Sequence, residues 1–224
     1  MMMSLFSMFD PSSIMFIQLN WITLFIVLIM YPMSYWTMNS RTINTFFVLN
    51  KHLHNEFTML FNNKILIKGS TILSVTLFCF ILINNMSSNF PYTFCCSAHL
   101  VFSMSMSIPI WMSIILFSWT TLTKTMFSHL VPNGTPTIIM PLMVMIETIS
   151  NLIRPMALAV RLTANLIAGH LLMTLLGNSM NLSSSYWYLI LIVQMSFMMF
   201  ELMVATIQSY VFSVLMTLYS SEIN

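Results

Sequence analysis

The chain has 224 residues, of which 58% are hydrophobic and only 5% are charged, and its formal net charge is +2. Soluble domains carry roughly 25% charged residues, so this chain cannot cover a water-facing surface. The composition excludes a soluble enzyme, a disordered tail and a nucleic-acid-binding protein, which would need a basic face. It predicts an all-α integral membrane protein. At about 20 residues per span, the length allows five or six helices.

The first predicted span covers residues 13–31 and is almost wholly apolar. Segment 41–68 differs, because it holds four of the seven basic residues and alternates large apolar and polar side chains at helical spacing. This pattern predicts an amphipathic helix on the membrane surface. The positive-inside rule places it on the matrix or cytoplasmic side and the amino terminus outside. A metal site at His52, His54 and Glu56 is an alternative to the solvated polar face that we favour.

Two shorter spans follow, at residues 70–84 and 98–123. The first of these is short for a complete crossing, so an end at residue 88 is the alternative, with an outside loop up to Cys96. Pro109 lies inside the second, which is tolerated where neighbouring helices satisfy the freed carbonyl.

The last two apolar segments, 136–176 and 186–221, are unusually long. As single helices they measure about 55–60 Å, whereas the hydrocarbon core is about 30 Å thick. They are therefore either strongly tilted or broken, and Pro141 and Pro155 are the points at which the first of them could bend. We predict about five membrane-embedded helices plus one amphipathic surface helix, the last two long and strongly tilted.

The frequencies of Met and Gly in the chain indicate what kind of genome encodes it. Met occurs 25 times and Gly 4 times. This bias suggests an AT-rich genome with an extra Met codon, as in animal mitochondria. Cys79, Cys95 and Cys96 are odd in number and lack metal-site spacing, so we interpret them as small buried thiols.

Charged and titratable residues interrupt the apolar sequence of the last 90 residues. They are Glu147, Arg154, Arg161, His170 and Glu201, with Glu222 closing the chain. Each charge at the centre of a span costs roughly 2.5–3.5 kcal/mol even on the translocon scale. Such residues mark ion pathways by default.

Spacing sorts these groups along the predicted helices. Residues seven apart share a helical face, which places Glu147, Arg154 and Arg161 together, and Glu201 together with Gln208. Asn165 lies one turn beyond Arg161, and His170 about 13.5 Å beyond it. Glu222 lies about 31 Å from Glu201, roughly one membrane thickness. The acids and His170 thus form two clusters on opposite sides, and Arg161 lies between them, which suits two aqueous half-paths divided by a fixed positive charge.

Each of these residues also has a structural interpretation. For Arg154 we favour the structural interpretation, in which it forms a static ion pair with a glutamate. For Arg161 the same interpretation is a minor alternative. His170 could be a satisfied interior histidine, and Glu147 and Glu222 could be solvated charges at helix ends.

Four sequence stretches resemble subunit a of the F-type ATP synthase, in its mitochondrially encoded invertebrate form. They are Leu-Val-Pro-Asn-Gly-Thr-Pro at 130–136, Glu-Thr-Ile-Ser at 147–150, the stretch 153–170, which contains Arg-Leu-Thr-Ala-Asn and ends in Ala-Gly-His, and the stretch 201–212, which begins with Glu201. The family is known by an Arg-Leu-x-x-Asn core followed by Ala-Gly and a titratable residue. The resemblance is most specific over 130–212.

The resemblance implies two long tilted helices against a rotating ring of c subunits. Arg161 then faces the ring carboxylates, and His170 and Glu201 form the proton uptake half-channel from the intermembrane space. Further roles follow for Glu147 and Glu222, as the release pair on the matrix side, and for Asn165 and Gln208, as polar support near the arginine. Arg154 receives no role.

The resemblance also implies the setting of the protein. The chain is a single membrane domain, 1–224, with amino-terminal spans and amphipathic helix in 1–129 and the proton-path helices in 130–224. It is not catalytic by itself and needs no cofactor or metal. Its partners are the c-subunit ring, the peripheral stalk and other Fo subunits, the lipid bilayer and the transported protons, with no nucleic acid. The amino terminus lies in the intermembrane space and the carboxyl terminus in the matrix of the inner mitochondrial membrane.

Two other classes remain as alternatives. A proton-translocating antiporter-like subunit of a respiratory complex should carry mid-span lysines and repeated helix groups. Here every Lys lies at a span end or on the amphipathic segment, and no repeat is visible. A structural scaffold would have little reason to hold Arg161, His170 and Glu201 in apolar sequence.

Overall fold

A computed structural model describes residues 5–12, 18–32, 40–61, 69–90, 93–131, 134–179 and 186–222. Every regular element in these ranges is helical. The α-helices are α1 (Thr23–Met30), α2 (Arg41–Leu60), α3 (Ser70–Ser88), α4 (Leu100–Thr121), α5 (Thr123–His129), α6 (Met140–Asn178) and α7 (Trp187–Glu222). Short 3-10 turns cover Leu5–Phe9, Leu19–Ile22 and Cys96–Ala98.

Four of these helices, α3, α4, α6 and α7, are long and apolar enough to cross a membrane. They correspond to the last four predicted spans and confirm the prediction of an all-α integral membrane protein. The described part of the predicted first span contains α1, whose eight residues measure about 12 Å. Residues 13–17 of that span lie outside the described residues, so the crossing of this first segment stays a prediction.

The two long segments are unbroken helices of 39 and 36 residues. At 1.5 Å per residue they extend about 58 and 54 Å, well beyond the roughly 30 Å hydrocarbon core. Pro141 lies in the first turn of α6, where its missing N–H would have had no helical partner. Pro155 is buried inside α6, and the helix continues through it. The sequence predicted that these segments are either strongly tilted or broken, and the structure shows that neither is broken.

Small residues let α7 lie against α3. The buried side chains of α7 that carry a hydroxyl are Ser209, Ser213, Thr217 and Ser220. Each hydroxyl donates to the carbonyl three residues earlier in the same helix, so it is satisfied when buried. Such residues allow helices to approach closely in a membrane. α6 packs against α4, and a shared core forms around Leu158 and Leu162 of α6 and Phe212 of α7.

The predicted amphipathic segment forms a helix over Arg41–Leu60. It buries Leu53 and Phe57 against Phe78 of α3 and also contacts α7, while its charged side chains are exposed. The amphipathic prediction is thus confirmed for α2. Residues 62–68, which include two of the four basic residues, lie outside the described residues.

Helix α3 follows the longer of its two predicted ends and reaches Ser88. Asn84 and Asn85 therefore belong to the helix, with only 4% and 0% of their surface exposed, and the outside loop begins later than residue 84. The prediction of a loop from residue 84 is wrong because a helix in apolar surroundings tolerates polar side chains that face a protein interior.

The three cysteines are free thiols, with Cys95 and Cys96 buried and Cys79 half-buried. The Cys96 Sγ lies 2.7 Å from Thr23 Oγ1, and the Cys79 Sγ lies 3.3 Å from Asn50 Oδ1. These contacts confirm that the thiols pack between elements.

Candidate functional site

Three contacts define how α6 and α7 face one another. They join Arg154 to Tyr219, Asn165 to Gln208, and Gly169 to Glu201. As residue numbers rise along α6 they fall along α7, so the two helices are antiparallel neighbours over more than 15 residues. The sequence-predicted polar residues of both helices consequently lie along one seam.

The middle of the seam contains Asn165 and Gln208. The Asn165 Nδ2 donates to the Gln208 Oε1 at 3.2 Å, and Gln208 is buried. Arg161 lies one turn away from Asn165 and is exposed, whereas Leu158 and Leu162 point into the core. The core face of α6 thus turns Arg161 away from the interior of this chain. Within the described residues, no carboxylate lies within ion-pair distance of Arg161.

Both long helices expose large apolar side chains, some near Arg161 in the chain and others several turns away from it. Large hydrophobic side chains with 45–67% of their surface exposed are Met156, Val160, Leu172, Phe200, Met203 and Ile207. A guanidinium in such a surface needs a counter-charge, because an unpaired charge in an apolar environment is costly.

At one end of the seam, His170 and Glu201 line one cavity of about 470 Å³. The imidazole Nε2 and the carboxylate Oε1 are both buried and without a hydrogen-bond partner among the described residues. Polar atoms of this kind are satisfied by water when the cavity has room. A neighbouring cavity of about 340 Å³ also contains Glu201 and reaches Asn165 and Gln208. Polar side chains therefore follow one another from His170 to the turn beside Arg161.

Gly169 explains why Glu201 can lie so close to α6. A Cβ at this position would lie 2.6 Å from the Glu201 Oε1 and 3.0 Å from its Cδ. The glycine thus provides the space into which the carboxylate fits.

We expect Gly169→Ala to displace the Glu201 carboxylate. In the proton-uptake role that the family resemblance implies for Glu201, this displacement should slow proton flux about tenfold or more, since a misplacement of 1 Å costs up to 100-fold in well-ordered sites. The measurement is ATP-driven acidification of membrane vesicles carrying the assembled complex. Gly177→Ala is the matched control, because nothing lies within 4 Å of a Cβ added at Gly177 on the same helix. Equal flux in both variants would contradict this role of Gly169.

At the opposite end of the seam, Glu147 pairs with Arg154. The Arg154 Nη2 lies 3.7 Å from the Glu147 Oε1, and the Arg154 Cζ lies 5.2 Å from the centroid of the Tyr219 ring. This pair confirms the static interpretation of Arg154, and both side chains are about one-third exposed. Glu222 is the last residue of α7, three residues beyond Tyr219. Its side chain lies outside what the structure describes.

The sequence analysis did not predict that α3 contributes polar residues to the site. Asn85 and Asn89 line the second cavity with Glu201, and both side-chain polar atoms of Asn85 are buried without a partner in the described part of the chain. Two adjacent asparagines at 84–85 in apolar sequence were an available signal, because uncharged polar groups are also costly in a span.

Comparison with known proteins shows the family of the chain. The ATP synthase A chain family matches residues 15–221, which include both long helices and their polar seam.

The chain belongs to the ATP synthase A chain family.

Relatives from several insects support this assignment over their whole length. The "ATP synthase subunit a" of Aedes aegypti is 51% identical over 228 residues, and that of Drosophila simulans is 50% identical over 226 residues. The protein of the same name from Locusta migratoria is 49% identical over 226 residues. All three alignments cover 100% of both chains. Membership in the A chain family and the insect relatives confirm the resemblance inferred from the motifs.

Proposed function

We propose that this chain is the proton-conducting subunit of an F-type ATP synthase, in which it couples proton flow to rotation of a c-subunit ring. The observation that carries the proposal is the seam between α6 and α7. It combines Arg161, which is exposed and has no ion-pair partner among the described residues, with a cavity lined by His170 and Glu201. Family membership supplies the setting.

Arg161 is the fixed charge of the proposed mechanism. A ring carboxylate that faces lipid must be protonated, because an ionised carboxylate there is very costly. Beside Arg161 the ionised form becomes favourable, and the proton leaves. Arginine suits this role since its guanidinium stays charged even when it is desolvated. The exposed apolar side chains of the two long helices form the surface that the ring would cover.

His170 and Glu201 form the proposed uptake half-channel. Their shared cavity can hold water, and the second cavity extends it towards Asn165 and Gln208. Titratable groups linked by water relay protons between the outer side and the ring. Asn165 and Gln208 hold their amides together beside the arginine and provide polar support.

Glu147 and Glu222 form the proposed release pair on the opposite side. The distance along α6 from Glu147 to His170 is about 35 Å, so the two half-channels are offset by about one membrane thickness. The ion pair with Arg154 keeps the Glu147 carboxylate in place at this end. Arg161 lies between the two, where its charge repels protons and blocks direct leakage.

The same proposal places the protein in the inner mitochondrial membrane, with its amino terminus in the intermembrane space and its carboxyl terminus in the matrix. The basic residues of α2 and the segment after it support this orientation through the positive-inside rule. Each proton that crosses 100 mV releases about 2.3 kcal/mol, which drives rotation. Nucleotide chemistry belongs to other subunits, and the peripheral stalk and other Fo subunits are expected neighbours. An antiporter-like subunit of a respiratory complex is disfavoured by the family assignment.

The proposal is tested by His170→Ala in the assembled complex. We expect ATP-driven proton pumping in vesicles to fall at least about tenfold, because proton relays contribute about 10²–10⁴-fold in rate. His52→Ala is the matched control, since His52 is an exposed histidine on α2, away from the cavity. Pumping that is unchanged in the His170 variant would overturn the uptake path.

A further inference from the structure

The amino-terminal turn Leu5–Phe9 reaches the proposed uptake cavity although it is more than 150 residues away in sequence. The turn contacts α6. Met8 and Phe9 line the same cavity of about 470 Å³ as His170 and Glu201. Phe9 is half-buried and packs against the core cluster that contains Leu166.

Phe9 meets His170 directly. The two rings are 6.4 Å apart between centroids at an interplanar angle of 82°, which is an edge-to-face arrangement. Such a pair has a preferred geometry, so the phenyl ring restricts how the imidazole can rotate. The Nε2 of His170 is buried without a protein partner among the described residues. The orientation of the imidazole therefore depends on its ring contacts rather than on a hydrogen bond at Nε2.

Asp10 follows Phe9 and is exposed. Its carboxylate accepts a hydrogen bond from the Ser12 N–H at 3.0 Å, and this backbone hydrogen bond lowers the pKa of Asp10. Asp10 is consequently ionised at neutral pH. A negative charge close to a cavity raises the local concentration of cations, including hydronium.

We propose that Phe9 is a positioning residue of the proton uptake path: its ring covers the amino-terminal side of the cavity and holds the imidazole of His170 towards the water-filled space. Asp10, the next residue in the chain, places a fixed negative charge beside Phe9. This inference rests on the proposed function, in which His170 relays protons. The motifs that carry the family resemblance lie within residues 130–212 and include no residue of the amino-terminal turn.

The experiment uses the assembled complex in membrane vesicles and measures two quantities. The first is the carbethoxylation of His170 by diethyl pyrocarbonate, quantified by peptide mass spectrometry relative to the exposed His52. The second is the rate of ATP-driven proton pumping. The variants are Phe9→Ala, Phe9→Leu and the aromatic Phe9→Tyr. Phe6→Ala is the matched control, since Phe6 belongs to the same turn, is 66% exposed and does not line the cavity.

In Phe9→Ala we expect labelling of His170 to rise about fivefold and pumping to fall about fivefold, the factor that one edge-to-face aromatic contact corresponds to. Phe9→Tyr keeps the ring and should match the wild type in both quantities, as should Phe6→Ala. If Phe9→Ala fails to assemble, Phe9→Leu should show the same two changes, a rise in His170 labelling and a fall in pumping. Leucine fills the space but has no aromatic edge.

Two results would overturn the proposal. Unchanged labelling in the assembled Phe9 variants means that the ring does not cover His170. Increased labelling with unchanged pumping means that Phe9 covers the cavity without positioning the imidazole. Failure of the uptake path itself is distinguishable, because His170→Ala would then pump like the wild type whatever the Phe9 variants do.

Discussion

Arg161→Gln should abolish ATP-driven proton pumping and raise the passive proton leak through the same vesicles. Glutamine keeps the side chain polar and similar in length but removes the charge that favours an ionised ring carboxylate. An unpaired charge at the centre of a span costs roughly 2.5–3.5 kcal/mol, which corresponds to a loss of about 100-fold or more in rate. The leak should rise because the fixed charge no longer separates the two half-channels.

Arg154→Gln is the control for this experiment, since it removes an arginine from the same helix. Its ion pair with Glu147 is one-third exposed, and such pairs contribute about 1 kcal/mol or less. We expect pumping to fall no more than about threefold, with no added leak. If Arg161→Gln pumps like the wild type, the mechanism proposed for this chain is wrong.

Glu201→Gln should reduce proton pumping about as strongly as Arg161→Gln does. It should lower the passive proton leak, which Arg161→Gln raises. The amide keeps the volume that fits against Gly169 but cannot take up or release a proton. Loss of a relay group costs about 10²–10⁴-fold, so pumping and passive flux should both fall at least about 100-fold. Glu56→Gln, at an exposed carboxylate on α2, is the matched control and should leave both fluxes unchanged.

The double variant Arg161→Gln with Glu201→Gln separates the two roles. If Glu201 lies on the uptake path and Arg161 is the barrier, the second substitution should suppress the leak that the first one opens. A leak that persists in the double variant would mean that protons reach the ring by a route that bypasses Glu201.

Much of the candidate site follows from sequence because charges in apolar sequence are costly and therefore informative. The cost of a charge in apolar sequence marks Arg161, His170 and Glu201 as candidates for an ion path, and their spacing along ideal helices predicts two separated clusters. The roles proposed for them come from the family resemblance. The lengths of α6 and α7 were equally evident, since apolar runs of this extent exceed the thickness of a bilayer.

Contacts between distant parts of the chain could not be predicted in this way. The approach of Glu201 to Gly169, the hydrogen bond between Asn165 and Gln208 and the packing of Phe9 on His170 all depend on how separate helices pack. Helical periodicity places a residue on a face but does not say which helix that face meets.

The sequence by itself determined the membrane class, the helical periodicity of α2 and the residues whose charge demands a function, since these depend on composition and local spacing. Only the tertiary structure decided that α6 continues unbroken through Pro155 and that Arg154 pairs with Glu147. It also brought Asn85 of α3 and Phe9 of the amino-terminal turn to the seam between α6 and α7. The physical reason is that the cost of an asparagine in apolar sequence marks the residue but does not say which helix it faces, and a phenylalanine in apolar sequence has no such cost.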